Sequence, residues 1–263
     1  MKKTGIGFLC CIVLLSIAGC GKVSDTSDQT LSTNNEIPID RNANFVEDDI
    51  ERSEKDDDSL LYSNDISKYQ IYTEANSEAA LKNLYYTVDD FIKSDSSDAV
   101  AKGNIVEIEY VYIDGCTYSK LTVEVEELYK GEASNTITVY EDGGYSRLSD
   151  EKEQLEAHTD LSQYTKEEMD NLLIDHKFMG AEHSKIGDTV ILFLKSNKGS
   201  ILGDSFRINC SVFGRYTLCG ENYIRPEFLV ENDNPEKDSE YTNMDTFEIS
   251  VPKSVLEDKL SQW

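Results

Sequence analysis

The sequence predicts a mainly β domain: a closed barrel of five strands, interrupted by a helical insert and flanked by short helices. Three observations carry that reading. From Ala99 to Gly144 three successive runs are rich in β-branched and aromatic residues, and each ends on glycine, as strands joined by turns do. From Thr189 to Leu194 the chain is apolar on both faces, as a central strand is. Between these blocks, from Ser149 to Ser184, the apolar period lengthens from 2 to about 3.6, the helical value.

The chain opens on an export signal. Lys2 and Lys3 precede an apolar stretch, Gly5 to Ile17, too short to span a bilayer comfortably. It ends in Ile17-Ala18-Gly19-Cys20, which resembles the bacterial lipobox. The resemblance implies that residues 1–19 are removed and that the Cys20 thiol is thioether-linked to diacylglycerol. The bilayer is then a partner, and the extracytoplasmic face of the cell membrane the location. Two acyl chains hold a protein on a bilayer where one is marginal. The alternative is an ordinary secretory signal with an incidental cysteine.

Residues 20–65 are rich in Ser, Thr, Asn and Asp, with charge runs at Asp48-Asp49 and Asp56-Asp57-Asp58. Such a segment buries too little apolar area to offset its ordering entropy and reads as a disordered acidic tether. The Asp runs lack the alternating spacing, central Gly and distal Glu of a calcium loop. The remaining residues, 66–263, suit one domain with a sizeable core. A net charge of −26 argues against nucleic acid, whose recognition needs basic patches, and against an anionic lipid face.

Next, Tyr69 to Thr73 reads as a short strand and Asn76 to Tyr86 as a weak helix. Thr87-Val88-Asp89-Asp90 starts a second helix, with Thr87 as cap and Phe91 and Ile92 apolar, ending near Ser94. In the first barrel strand Val106, Ile108, Tyr110 and Tyr112 fall on one side, and Ile105, Glu107, Glu109, Val111 and Ile113 on the other. Asp114-Gly115 supplies a turn. In the second strand Leu121, Val123 and Val125 point one way, while Glu126-Glu127 breaks the alternation and marks a bulge. Ile137 and Val139 carry the third strand, and Gly143-Gly144 stops it.

In the insert, Thr165 and Glu168 form a capping box, and Met169, Leu172, Leu173 and His176 mark one face of a helix that stops at Gly180. His158, His176 and His183 all lie in this insert, near Asp175 and Glu182. That clustering invites a zinc reading, but HExxH and CxxC are both missing, so no metal or other cofactor is expected.

Phe206 to Phe213 and Tyr216 to Leu218 read as a hairpin about Gly214-Arg215. Counting outward places Cys210 opposite Cys219 in a non-hydrogen-bonded pair, about 4.5 Å between Cα atoms, which a disulfide just accepts. An oxidising site permits that bridge and leaves Cys116 as a thiol; two packed, reduced cysteines are the alternative. Phe247, Ile249 and Val251 add an edge strand, and Pro252 opens a helix through Val255, Leu256 and Leu260.

The order strand, strand, strand, helical insert, strand, strand is that of an OB-fold, a five-stranded Greek-key barrel. Residues 98–103, 125–132 and 186–194 resemble phrases of bacterial surface lipoproteins related to netrin/TIMP-like barrels. The resemblance spans Asp98 to Leu218 and implies fold more than activity. OB-type barrels bind on the face of their second and third strands, which points to Tyr118, Lys120, Thr122, Tyr140 and Tyr145. A binding or interaction module, with a protein or other envelope component as partner, is therefore the leading expectation, and no catalytic residue is assigned. Two other readings stand beside it. Gly203-Asp204-Ser205-Phe206 is similar to the GDSL block of SGNH esterases, but no histidine follows His183 to serve as base. A purely structural envelope spacer is the third.

Overall fold

The protein is described from a computed structural model, which covers residues 61–77, 84–227 and 247–263. These belong to a compact unit spanning Asp56–Trp263. The lipobox, Cys20 and most of the tether lie outside the described residues.

The unit is mainly β, with two sheets and a few short helices. In chain order the elements are β1 (Leu61–Tyr62), β2 (Gln70–Ser77), α1 (Val88–Ser94), β3 (Ala99–Ile113), β4 (Cys116–Lys130), β5 (Thr136–Asp142), β6 (Gly144–Arg147), α2 (Lys152–Leu155), α3 (Lys166–Asp170), β7 (Leu172–Phe178), β8 (Thr189–Ser196), β9 (Phe206–Ile208), β10 (Arg215–Cys219), β11 (Asn222–Ile224), β12 (Ser250–Pro252) and α4 (Lys253–Ser261). In the larger sheet β3 pairs with β4, β4 with β5, β5 with β9 in parallel, and β9 with β8. β8 also pairs back onto β3, Ala99 opposite Leu194 through Asn104 opposite Thr189. β10, β11 and β12 extend the sheet from β8. The smaller sheet has the order β2-β7-β6.

The β3–β4 hairpin turns on Asp114 and Gly115, both with positive φ (51° and 80°), the type I′ geometry that matches strand twist. Its register shifts at Val106, which β4 does not pair, and again at Glu126, where the alternation of the sequence breaks. The Val106 bulge corrects the two-sided reading of β3. It switches parity, so that Ile105 and Ile108 both point inward while Val106 is exposed.

Two apolar clusters meet on β8, as its doubly apolar sequence requires. Val190, Leu192 and Leu194 pack inside with Ile105, Ile108, Leu121, Val123 and Val139. Ile191 and Phe193 face the other way, against Val88 and Phe91 of α1 and Leu256 and Leu260 of α4. The capping box of α1 is complete: Thr87 accepts from the Asp90 amide, and the Asp90 carboxylate accepts from the Thr87 amide. A C-terminal strand and helix form, but the strand is only Ser250–Pro252, so of the expected residues Val251 alone lies in it, and Val255 of the helix is exposed.

Four expectations need refinement or correction. Gly143-Gly144 does stop β5, which ends at Asp142, but it is not a simple end: with φ of 93° and 130° it passes the chain from the larger sheet into β6 of the smaller one. A Cβ on Gly144 would sit 2.7 Å from the Tyr110 ring and 2.8 Å from the Ser119 hydroxyl.

In the insert the Thr165–Glu168 capping box is present, but α3 stops at Asp170. Leu172–Phe178 is a strand, parallel to β2 and antiparallel to β6, so Leu172, Leu173 and His176 do not share a helical face. Of the expected Asn76–Tyr86 helix, Asn76 and Ser77 belong to β2 and residues 84–86 are irregular.

The fourth correction is the hairpin about Gly214-Arg215. Cys210 and Ser211 both take left-handed backbone, Ser211–Gly214 forms a 3-10 turn, and β10 pairs with β8 rather than with β9. Cys219 therefore sits opposite Asn222, not Cys210, and no bridge joins the two sulfurs. The apolar residues Tyr216 and Phe213 are better buried against Phe193 and Phe247 than paired with each other.

Candidate functional site

β4, β5 and β9 expose one continuous outer face. Successive partners across the strands run Glu109, Lys120, Tyr140, Arg207 and Lys195, one residue from each of β3, β4, β5, β9 and β8. Cross-strand partners point to the same side of a sheet, so this row forms a ridge. Tyr118 lies on the same side. Its ring meets that of Tyr140 edge-on at a centroid distance of 5.9 Å. Thr122 and Thr138 form the next row. Of the expected face residues, Tyr118, Lys120, Thr122 and Tyr140 are thus brought together.

Tyr145 is not among them. It sits on β6, where its ring packs on Tyr110 at 5.0 Å and on His183 at 5.1 Å. Its transfer to the smaller sheet follows from the Gly143-Gly144 turn. Desolvation there pushes the Tyr145 hydroxyl up to about 12.

The charges of the face are unevenly compensated. Lys120 donates to Glu109 at 2.6 Å, a hydrogen bond that also raises its ammonium above the usual lysine range. Thr122 donates to Glu107 at 3.2 Å. Lys195 lies 3.7 Å from Asp98. Arg207 is exposed and makes no ion pair among the described residues. Sequence reading missed Arg207. The signal was its one-residue offset from the inward-facing Ile208.

At the upper edge of the face, Asp142 is paired in register with Tyr118 and accepts from Ser211. Desolvation raises its carboxyl above the usual range; the Ser211 hydrogen bond and the Arg207 charge act the other way without cancelling it. The Tyr118 hydroxyl is pushed up to about 12, mainly by desolvation.

Below the face, buried acids and bases pair one to one. Glu141 follows Ile137 and Val139 in parity and so points inward, where the Arg215 guanidinium donates to it and to Ser184. His183 pairs with Asp175 at 2.7 Å. His176 pairs with Glu151, which also accepts from Ser146. His176 and His183 therefore take separate carboxylates instead of converging, and His158 is exposed. Among the described residues no cluster of three or more His, Cys, Asp and Glu side chains could hold a metal ion.

Ser205 is tied into a turn. Its hydroxyl donates to the Leu202 carbonyl at 2.9 Å and accepts from Asn197 at 3.0 Å. A shallow depression of about 340 Å³ between Glu221 and Glu257 lies on β11 and α4, away from the face.

No family model, curated protein or solved structure matches the chain.

Proposed function

We propose that this chain is a lipid-anchored binding module of the extracytoplasmic membrane face, an OB-like barrel that engages an envelope component through the outer face of β4 and β5. The supporting observation is the gathering of Tyr118, Lys120, Thr122 and Tyr140, half-buried residues spread over two strands, on one outer face of the sheet. Further support for the barrel is the circuit of pairings β3-β4-β5-β9-β8-β3, in which the third and fifth strands are parallel. That is the connectivity of an OB-type Greek key. Acylation of Cys20 would hold the module at the bilayer, with the residues between Cys20 and β1 as its leash, since Leu61 and Tyr62 already pair with β3.

The test is retention of the intact chain on isolated envelope fractions. Saturable retention that falls at least tenfold in Tyr140→Ala and Lys120→Ala, with melting temperature preserved, supports the reading. Retention indifferent to both substitutions refutes it. The anchor has its own test. Mass spectrometry of the mature N-terminus is expected to find diacylglycerol on Cys20, and an unmodified cysteine refutes anchoring.

A further inference from the structure

Lys195 and Arg207 stand directly opposite each other across β8 and β9. Like charges at opposed positions destabilise a sheet. In a chain of net charge −26, with acidic residues twice as frequent as basic ones, this arrangement is the opposite of what composition favours. Asp98 reaches Lys195, but at 3.7 Å and half exposed. The Arg207 charge acts on the Asp142 carboxyl, which desolvation nonetheless raises, and no ion pair joins the two among the described residues. A local arrangement that costs stability without structural return is characteristic of a binding site. What the pair lacks is an anion seated between its two charges.

What adjoins the cations specifies the rest of the ligand. Arg207 is the register partner of Tyr140, whose ring meets Tyr118, so an aromatic ridge begins where the cation pair ends. Beyond it, Thr122 and Thr138 offer hydroxyls, and Glu107 closes the row with a negative charge. Among the described residues the exposed large aliphatic ones are Ile71, Val106, Leu128, Ile186, Ile201 and Val255, and none lies between Tyr118 and Thr122 or on β5 or β9. Tyr and Arg also occur at protein interfaces, but the fully buried core of such an interface is apolar, and here the tyrosines are flanked by hydroxyls and charges. Aromatic edges beside hydroxyls and one cationic end suit a sugar chain. The Glu107 end and the overall charge exclude a dense polyanion.

We propose that this face binds an acidic glycan with sparse carboxylates, one carboxylate seated between Arg207 and Lys195 and the neighbouring sugar rings laid on Tyr140 and Tyr118. This rests on the reading of the face as a binding surface and adds its ligand class and its anchor. A guanidinium receives a carboxylate through two parallel hydrogen bonds, which sets the register of the glycan on the ridge.

Calorimetric titration of the intact chain tests this with three probes. They are a hyaluronan hexasaccharide, in which uronate alternates with neutral sugar, neutral chitohexaose, and hexaglutamate. The hyaluronan oligomer is expected to bind saturably and at least tenfold more tightly than either of the others. Arg207→Gln is expected to remove that tenfold preference while leaving the melting temperature equal or higher, since it relieves the like-charge pair. Lys195→Gln should weaken binding in the same direction. Equal affinity for chitohexaose, unchanged affinity in Arg207→Gln, tighter binding of hexaglutamate, or no saturable binding of hyaluronan would each overturn the inference. If chitohexaose binds and Tyr140→Ala abolishes it while Arg207→Gln does not, the face survives as a binding surface and the acidic ligand is wrong. If hyaluronan binds but neither Tyr140→Ala nor Lys120→Ala weakens it, the face itself is wrong.

Discussion

Glu141 and Arg215 show how much a single buried contact decides. Both are almost fully buried, and the pair ties β5 to β10 and, through Ser184 and the Glu182 carbonyl, to the loop before β8. Removing one partner strands the other charge in a low-dielectric interior. Arg215→Ala is expected to cost about 3–5 kcal/mol in urea unfolding, whereas Glu141→Leu combined with Arg215→Met should cost far less. Equal losses in the single and double variants would mean that the ion pair is not the source.

Asp142 tests the sign of burial. Its carboxyl is raised in the folded chain, so the folded state holds its proton more tightly than the unfolded one. The stability this contributes is complete below the ordinary value of 3.8 and is lost as pH rises through the folded value. Asp142→Asn should therefore gain stability relative to the parent as pH rises from 3 toward 7 in a series of melts. A gap that narrows over that range contradicts the assignment.

At the scale of elements, the Gly143-Gly144 corner connects the two sheets. Gly144→Ala places a Cβ against Tyr110 and Ser119 at positive φ. It is expected to cost about 1–3 kcal/mol and to speed amide exchange in β6 and β7 before the larger sheet. Uniform loss of protection would show that the sheets are not separable in this way.

The corner also marks where sequence reading stopped. Adjacent glycines look the same whether a strand ends or changes sheets, because the difference lies in what the backbone must pass, here the His176 carbonyl and the Tyr110 ring. Long alternating runs such as β3 and β4 were legible, and so was the capped start of α1, because their signals are local. Leu172–Phe178 was not. A short apolar run fits helix and strand alike, and its partner β2 lies about a hundred residues earlier. The Cys210–Cys219 register failed for a similar reason. β10 pairs with β8, and a nearest-neighbour count cannot see that. Thiol titration of denatured, unreduced protein is expected to find Cys116, Cys210 and Cys219 all reactive. Recovery of Cys116 alone would restore the bridge.

For the whole molecule, the organising fact is an acidic chain that keeps a short cationic and aromatic ridge on one side of its larger sheet. The candidate face was half legible from strand order, through Tyr118, Lys120, Thr122 and Tyr140. Arg207 and Lys195 joined it only when β9 was seen to pair with both β5 and β8. The most direct test is a backbone amide spectrum of the intact chain, recorded while soluble envelope polysaccharide is added. Shifts confined to residues 118–122, 138–142, 194–196 and 206–208 are expected. Shifts centred on β2, β11 or α4, or none at saturating ligand, would contradict the account.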